Sequence, residues 1–257
     1  MKAFSRAILI CLLPLAVLRA QEAAEPAQDL LPFQEDFLNL PQEKREDFQK
    51  KLGEAQRLFG QKRVFEALDK ITETEAIFKD SPDLMNLKGA CQVEFRNFDK
   101  AMECFKRADE LAPGQITILF NIAELNFVTK EWAEAEKNLT AILAKTGDDL
   151  SGASLQMARL IEFKLLLAKI KLGKVEEAEE MATKYSYLDD SPYPYYAESA
   201  IAFANGNEIK AEAAMARGTR VFQDPAILSP WQDTMIEFGY IKGFFGGDIA
   251  PGAAPAE

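Results

Sequence analysis

From Glu43 onward, apolar residues recur at intervals of three and four: Leu52, Ala55, Leu58 and Phe59, then Val64, Ala67, Leu68 and Ile71. That spacing places them along one side of an α-helix, and no stretch shows the alternation of a strand. Ser81-Pro82, Ser191-Pro192 and Ser229-Pro230 each have the form of an N-cap followed by Pro in the first helical turn. Gly173 and Gly206 punctuate the pattern as turns. The helices so marked come in pairs, and the pairs repeat. Ala67, Ala101, Ala135, Ala178 and Ala211 are spaced by 34, 34, 43 and 33 residues. Twelve residues before them stand Ala55, Gly89, Ala123, Leu166 and Ser199, four of the five small. Three before them stand Val64, Phe98, Trp132, Val175 and the discordant Glu208, and four after them stand Ile71, Phe105, Leu139, Ala182 and Met215.

Small residues on one helix let its partner approach closely, and a large apolar residue one turn away fills the groove that remains. Two helices of this length cannot bury their faces alone, whereas stacked neighbours can. The pattern therefore predicts an all-α solenoid of about five helix-turn-helix units. On these residues the chain resembles the tetratricopeptide repeat family. The best-matching unit is 82–115, with Gly89 in the first helix, Phe98, Ala101, Phe105 and Ala108 in the second, and Pro113 closing it. The next unit matches with Ile122, Ala123, Trp132, Ala135, Leu139 and Ile142, and the later ones keep Gly173 with Ala178 and Gly206 with Ala211. The resemblance covers Glu43 to Pro225. It departs at Met85 and Gln92, where first-helix aromatics are expected, and at the 43-residue step, which needs about nine extra residues around Thr146 to Ala158. The resemblance implies a right-handed superhelix, a concave surface lined by first helices, and work as a protein- or peptide-binding scaffold.

The flanks read differently. Lys2 and Arg6 precede an uncharged run from Ala7 to Leu18 that is too short to span a bilayer, and Ala20 offers a small residue for cleavage. Residues 1–20 are thus expected to be a signal peptide, with cleavage before Gln21 and a periplasmic or secreted destination. Cys11 follows Ile10, which does not suit a lipid anchor. Residues 21–42, rich in Glu, Ala, Pro and Gln, read as a flexible leader in which Phe33, Phe37 and Leu38 could dock as a short turn. The array occupies 43–228. Residues 229–242, with Trp231, Met235, Phe238 and Tyr240, read as a helix capping the last apolar face, and 243–257 as a disordered tail.

Composition narrows function. The 257 residues hold no His, which removes His-dependent nucleophiles, general bases and zinc sites. Loss of Lys2, Arg6 and Arg19 with the leader would take the net charge from −11 to −14, a poor match for nucleic acid or an anionic membrane. No phosphate loop, CxxC or calcium loop is present, and no cofactor or metal is expected. Carboxylate pairs at Asp148-Asp149, Glu176-Glu177, Glu179-Glu180 and Asp189-Asp190 sit in polar runs and read as solvated faces. An enzyme is therefore not expected. With Cys11 removed, Cys91 and Cys104 form an even pair, and their spacing favours two buried free thiols over a disulfide.

The remaining candidate is an apolar surplus on the first helices. In 116–129, Ile118, Leu119, Ile122, Ala123 and Leu125 suffice to pack the helix, yet Phe120, Phe127 and Val128 form a further stripe. A helix apolar nearly all round must be covered by something. The surplus returns with Phe163, Leu167 and Ile170, and again with Tyr196 and Phe203. By the resemblance this stripe faces the concave side, so Phe120, Phe127, Phe163, Ile170, Tyr196 and Phe203 are candidate partner-binding residues. Packing against neighbouring repeats is the equal alternative. Lys130, Lys164 and Lys171 are too few for a basic clamp. The expected function is an exported, non-catalytic scaffold for a protein or peptide, in the manner of envelope factors for pilus or outer-membrane assembly, with self-association as the rival.

Overall fold

The computed structural model describes residues 30–147 and 150–242. The expected signal peptide, the first part of the leader, Asp148-Asp149 and the tail from 243 onward lie outside the described residues. Twelve helices and no strands make up the described chain, as the periodicity predicts. They fall into two compact units. The first, 30–145, holds α1 (Pro32–Leu38), α2 (Gln42–Gly60), α3 (Val64–Glu75), α4 (Pro82–Glu94), α5 (Phe98–Leu111), α6 (Ile116–Val128) and α7 (Trp132–Lys145). The second, 146–242, holds α8 (Gly152–Lys171), α9 (Val175–Ala182), α10 (Tyr193–Ala204), α11 (Glu208–Val221) and α12 (Pro225–Phe238).

Each of α2–α3, α4–α5, α6–α7, α8–α9 and α10–α11 packs as an antiparallel pair, which gives the five repeats. The repeated Ala residues are the reason the pairs close. Ala67, Ala101, Ala135, Ala178 and Ala211 are all wholly buried. Gly89 shows how tight the contact is: a Cβ there would lie 2.5 Å from the ring of Phe105, itself buried in the facing helix.

Every turn inside a pair is built the same way. One residue takes a left-handed conformation: Lys62 (φ 60°), Arg96 (58°), Lys130 (68°), Gly173 (74°) and Gly206 (72°). In each case that residue's N–H and the next one's turn back to the preceding helix, as with Lys130 to the Phe127 carbonyl at 3.2 Å and Glu131 to the Asn126 carbonyl at 2.8 Å. This is the glycine-type helix stop, and three of the five turns make it without glycine. Lys62 there pairs with Glu94 at 2.8 Å, and Arg96 lies over the Phe98 ring at 5.2 Å.

The extra residues of the 43-residue step go mostly into a helix. Seven of the nine lengthen α8 to 20 residues against 13 in α6, and two lengthen the connection before it. Two interlocks add to the apolar core. In the first unit the buried Asn121 amide of α6 donates to Asn86 Oδ1 of α4 at 2.8 Å, tying neighbouring first helices. In the second, Arg159 of α8 reaches the segment between α9 and α10. It donates to Asp189 at 3.0 and 3.1 Å and to the Tyr185 hydroxyl at 2.9 Å, while stacking over that ring.

Three expectations need correction. The leader is not wholly unstructured, because α1 forms and Phe37 packs against Phe48 and Phe78, with ring centres 5.2 and 5.4 Å apart. Leu38 stays exposed. Ser229-Pro230 does not start a helix: Asp224 caps α12, accepting from the Ala226 N–H at 2.9 Å, and Pro230 sits inside it. α12 also does not stack as a cap on the last face. Its main contact is with α8. Beside α11 there is instead a groove of about 750 Å³, lined by Phe203, Met215, Thr219 and Tyr240 among others.

The geometry gives two stability tests. Lys130→Gly should raise unfolding stability by about 0.5–1 kcal/mol, since it relieves a left-handed side-chain clash at an exposed turn. Gly53→Ala, on open surface within α2, should stabilise by about 0.5–1 kcal/mol through helix propensity alone. Gly89→Ala gains the same propensity but meets the immobile Phe105 ring, and overpacking costs about 1–3 kcal/mol, so the net sign reverses. Urea melts of the three variants beside the wild type check both expectations; a stabilised Gly89→Ala would contradict the tight-contact account.

Candidate functional site

The site grows out of one problem. α8 and α10 are apolar over more than one face: α8 buries ten consecutive-region residues from Ala158 to Ala168, and α10 buries eight of its twelve. Their partners α9 and α11 can cover only one side. The other side is covered by α12, which returns along a three-residue extended link, 222–224, and lies against α8.

Helical spacing sets the contact stripe of α12. Leu228, Trp231, Met235 and Phe238 recur at three and four and are all buried. Trp231 is the centre of the seat. Its ring lies 5.3 Å from Phe163, 5.6 Å from Tyr196 and 6.4 Å from Tyr193, the last edge-on. Phe163 and Tyr196 also meet edge-on at 6.1 Å. Such ring pairs add about 0.5–1.5 kcal/mol each to the area they bury. Further along, Phe203 stacks on Tyr240 at 4.9 Å, and Phe238 meets Tyr240 at 4.7 Å.

Charge lines the same seat. Lys164, one residue on from Phe163, is only 2% exposed, and its ammonium lies 3.6 Å from the Glu237 carboxylate of α12. Lys171 sits over the Phe238 ring at 4.6 Å. Burial pushes the Asp233 carboxyl above its usual range, Glu237 adds to that, and Lys164 opposes it. Burial likewise pushes the Tyr196 and Tyr240 hydroxyls up to about 12 and the Tyr193 hydroxyl up as well, and Tyr193 donates to the Met181 carbonyl at 2.9 Å. This is the seat of the chain's own helix α12. It presents no nucleophile with an adjacent base.

The six candidate residues divide. Phe163, Ile170, Tyr196 and Phe203 lie on α8 and α10. Phe163 and Tyr196 are wholly buried, and both touch Trp231; Ile170 and Phe203 are half-buried. Phe120 and Phe127 lie on α6 in the first unit and are buried there, Phe127 edge-on to Trp132 at 5.3 Å. The surplus on α8 and α10 is met partly by the neighbouring first helix, as Phe163 meets Tyr196, and partly by α12 of the same chain, while Phe127 packs on Trp132 of its own pair. Trp231 and Glu237 were not among the candidates. Their signal was present in the sequence: an apolar stripe flanked by acids at Asp233 and Glu237, opposite a lysine in an apolar helix.

Other candidates are resolved more simply. Glu176, Glu177, Glu179 and Glu180 are exposed, and Asp189 is held by Arg159. Cys91 is buried and Cys104 half-buried, both as free thiols, and burial pushes the Cys91 thiol up to about 12. Among the described residues no group of three or more Cys, Asp or Glu could hold a metal ion.

No family model matches the chain, and no curated protein matches it. Solved structures similar to it include the following two. One is a tetratricopeptide repeat protein from Parabacteroides merdae, 13% identical over 72% of this chain and 70% of that one, with a TM-score of 0.48. The other is the structure of Naa15/Naa10 bound to HypK-THB, 18% identical over 74% of this chain and 29% of that one, with a TM-score of 0.40. At such values the assignment rests on the chain's own geometry: five helix pairs, a buried Ala at each crossing and a left-handed turn in every pair make this an all-α, tetratricopeptide-like helical repeat.

Proposed function

We infer that the chain is an exported, non-catalytic scaffold that takes a protein or peptide on the inner faces of its first helices. The observation that carries this reading is the seat of α12: a helix lies across α8 and α10 with Trp231 held between Phe163, Tyr193 and Tyr196. A surface that accepts one amphipathic helix has the shape and chemistry to accept another. On this reading Phe163, Ile170, Tyr196 and Phe203 are partner-binding residues of one face, whereas Phe120 and Phe127 are buried within the first unit, Phe127 against Trp132, and belong to its core. The acidic balance disfavours nucleic acid as partner. Export rests on the Lys2 to Ala20 segment, and a place in cell-envelope, pilus or outer-membrane assembly fits an exported scaffold of this type.

Two measurements test it. N-terminal sequencing of the protein from the envelope fraction should begin at Gln21; a chain still beginning at Met1 in the cytoplasm contradicts export. A photo-crosslinking residue at Ile170 or Phe203, on the half-buried rim of the face, should capture a discrete second protein, whereas the same residue at exposed Glu176 of α9 should not. Equal capture from all three positions would place recognition elsewhere, and crosslinks only between copies of this chain would favour self-association.

A further inference from the structure

The seat of α12 differs in chemistry from the rest of its unit. The α10–α11 contact is made on the α11 side by Ala211, Ala214, Met215 and Gly218, small or flexible and uncharged. α12 instead covers a lysine. Lys164 lies in a buried stretch of α8 whose other charged residue, Glu162, is held by Arg159, Lys184 and Tyr185, and lysine is almost never fully buried unless it is paired. On a permanently covered surface an aliphatic residue would pack at least as well as this ion pair. On a surface that is uncovered part of the time, lysine has a use. Its stem lies along the apolar stripe while its ammonium reaches water, and under a helix bearing a carboxylate it finds a counter-charge. α12 is also built as a separable element. It hangs on the extended link 222–224, and Pro230 removes a backbone hydrogen bond from its middle.

We propose that α12 is a displaceable occupant of the α8–α10 face, and that the partner taken there is an amphipathic helix of the same chemistry. That helix carries a large ring at its centre, a second aromatic seven residues later, and a carboxylate six residues after the first ring that meets Lys164, as Trp231, Phe238 and Glu237 do. The proposal rests on the reading that the first-helix faces receive a helix, and it adds the partner's chemistry and the element that guards the face. Because the tethered α12 is always at hand, it lowers the affinity of any free competitor by the fraction of time the face is covered.

The test uses the folded protein with a protease site inserted between Gln223 and Asp224, and a fluorescent peptide of residues 224–242. In the cut protein the labelled peptide should exchange into the face, with the helical circular dichroism of the remainder retained. The uncut protein should bind the same peptide at least tenfold more weakly. Lys164→Glu in the cut protein should weaken peptide binding at least tenfold, and Glu237→Lys in the peptide should restore it, a readout that misfolding cannot imitate. A cut protein that keeps its own fragment through dilution without exchange, or that loses its helical signal, makes α12 permanent core and overturns the proposal. So does a charge swap that fails to rescue. These outcomes are separate from the scaffold reading, which stands or falls with the crosslinks at Ile170 and Phe203.

Discussion

An α-helix that is apolar around most of its circumference cannot end at a two-helix hairpin, because its hairpin partner covers only one side. α4, α6, α8 and α10 are such helices, and the architecture follows from covering them. Neighbouring repeats take one flank, as α10 does for α8. The paired second helix takes another, at a contact set by a buried Ala in each of the five repeats. What remains on α8 and α10 is taken by α12. The amphipathicity of the second helices complements this: α5 and α7 fully bury only three residues each and leave their outer faces to water.

The spacing of the repeats is kept by the turns as much as by the core. A left-handed residue at 62, 96, 130, 173 and 206 recurs at the same intervals as the Ala series, so the stop and the crossing are locked together. Glycine fills the position only in the last two repeats. In the first three, the chain carries strain of about 1–2 kcal/mol per turn that the flanking helix packing must outweigh. The long step between the third and fourth repeats leaves the turn geometry unchanged, since its extra residues lie mostly in the first turns of α8, ahead of the crossing.

Much of this was legible in the chain. Small residues twelve apart and a recurring interval of 34 are the direct imprint of helix crossings, because packing tolerates little else there. The turns at Lys62, Arg96 and Lys130 were not legible from glycine, as a side chain at positive φ leaves no compositional mark. Pro230 misled for a related reason. Ser-Pro is a helix start at Ser81, where Ser81 Oγ accepts from the Leu84 N–H at 3.3 Å, but at Ser229 the chain is already helical from Pro225. The surplus of rings on Phe163, Tyr196 and Phe203 was visible, and so was its need for a cover. Sequence spacing could not say that the cover comes from the same chain, because the α8–α12 contact spans about seventy residues and has no counterpart in the other repeats to reveal it by repetition.

The central physical claim is that Trp231 and Phe163 share one packed seat. A double-mutant cycle on Phe163→Ala and Trp231→Ala, read as unfolding free energy in urea, tests it most directly. Residues in such contact should show a coupling of about 0.5–1.5 kcal/mol, with the double variant less destabilised than the sum of the two single ones. Strict additivity of the two losses would mean that α12 does not rest on α8, and would contradict the account.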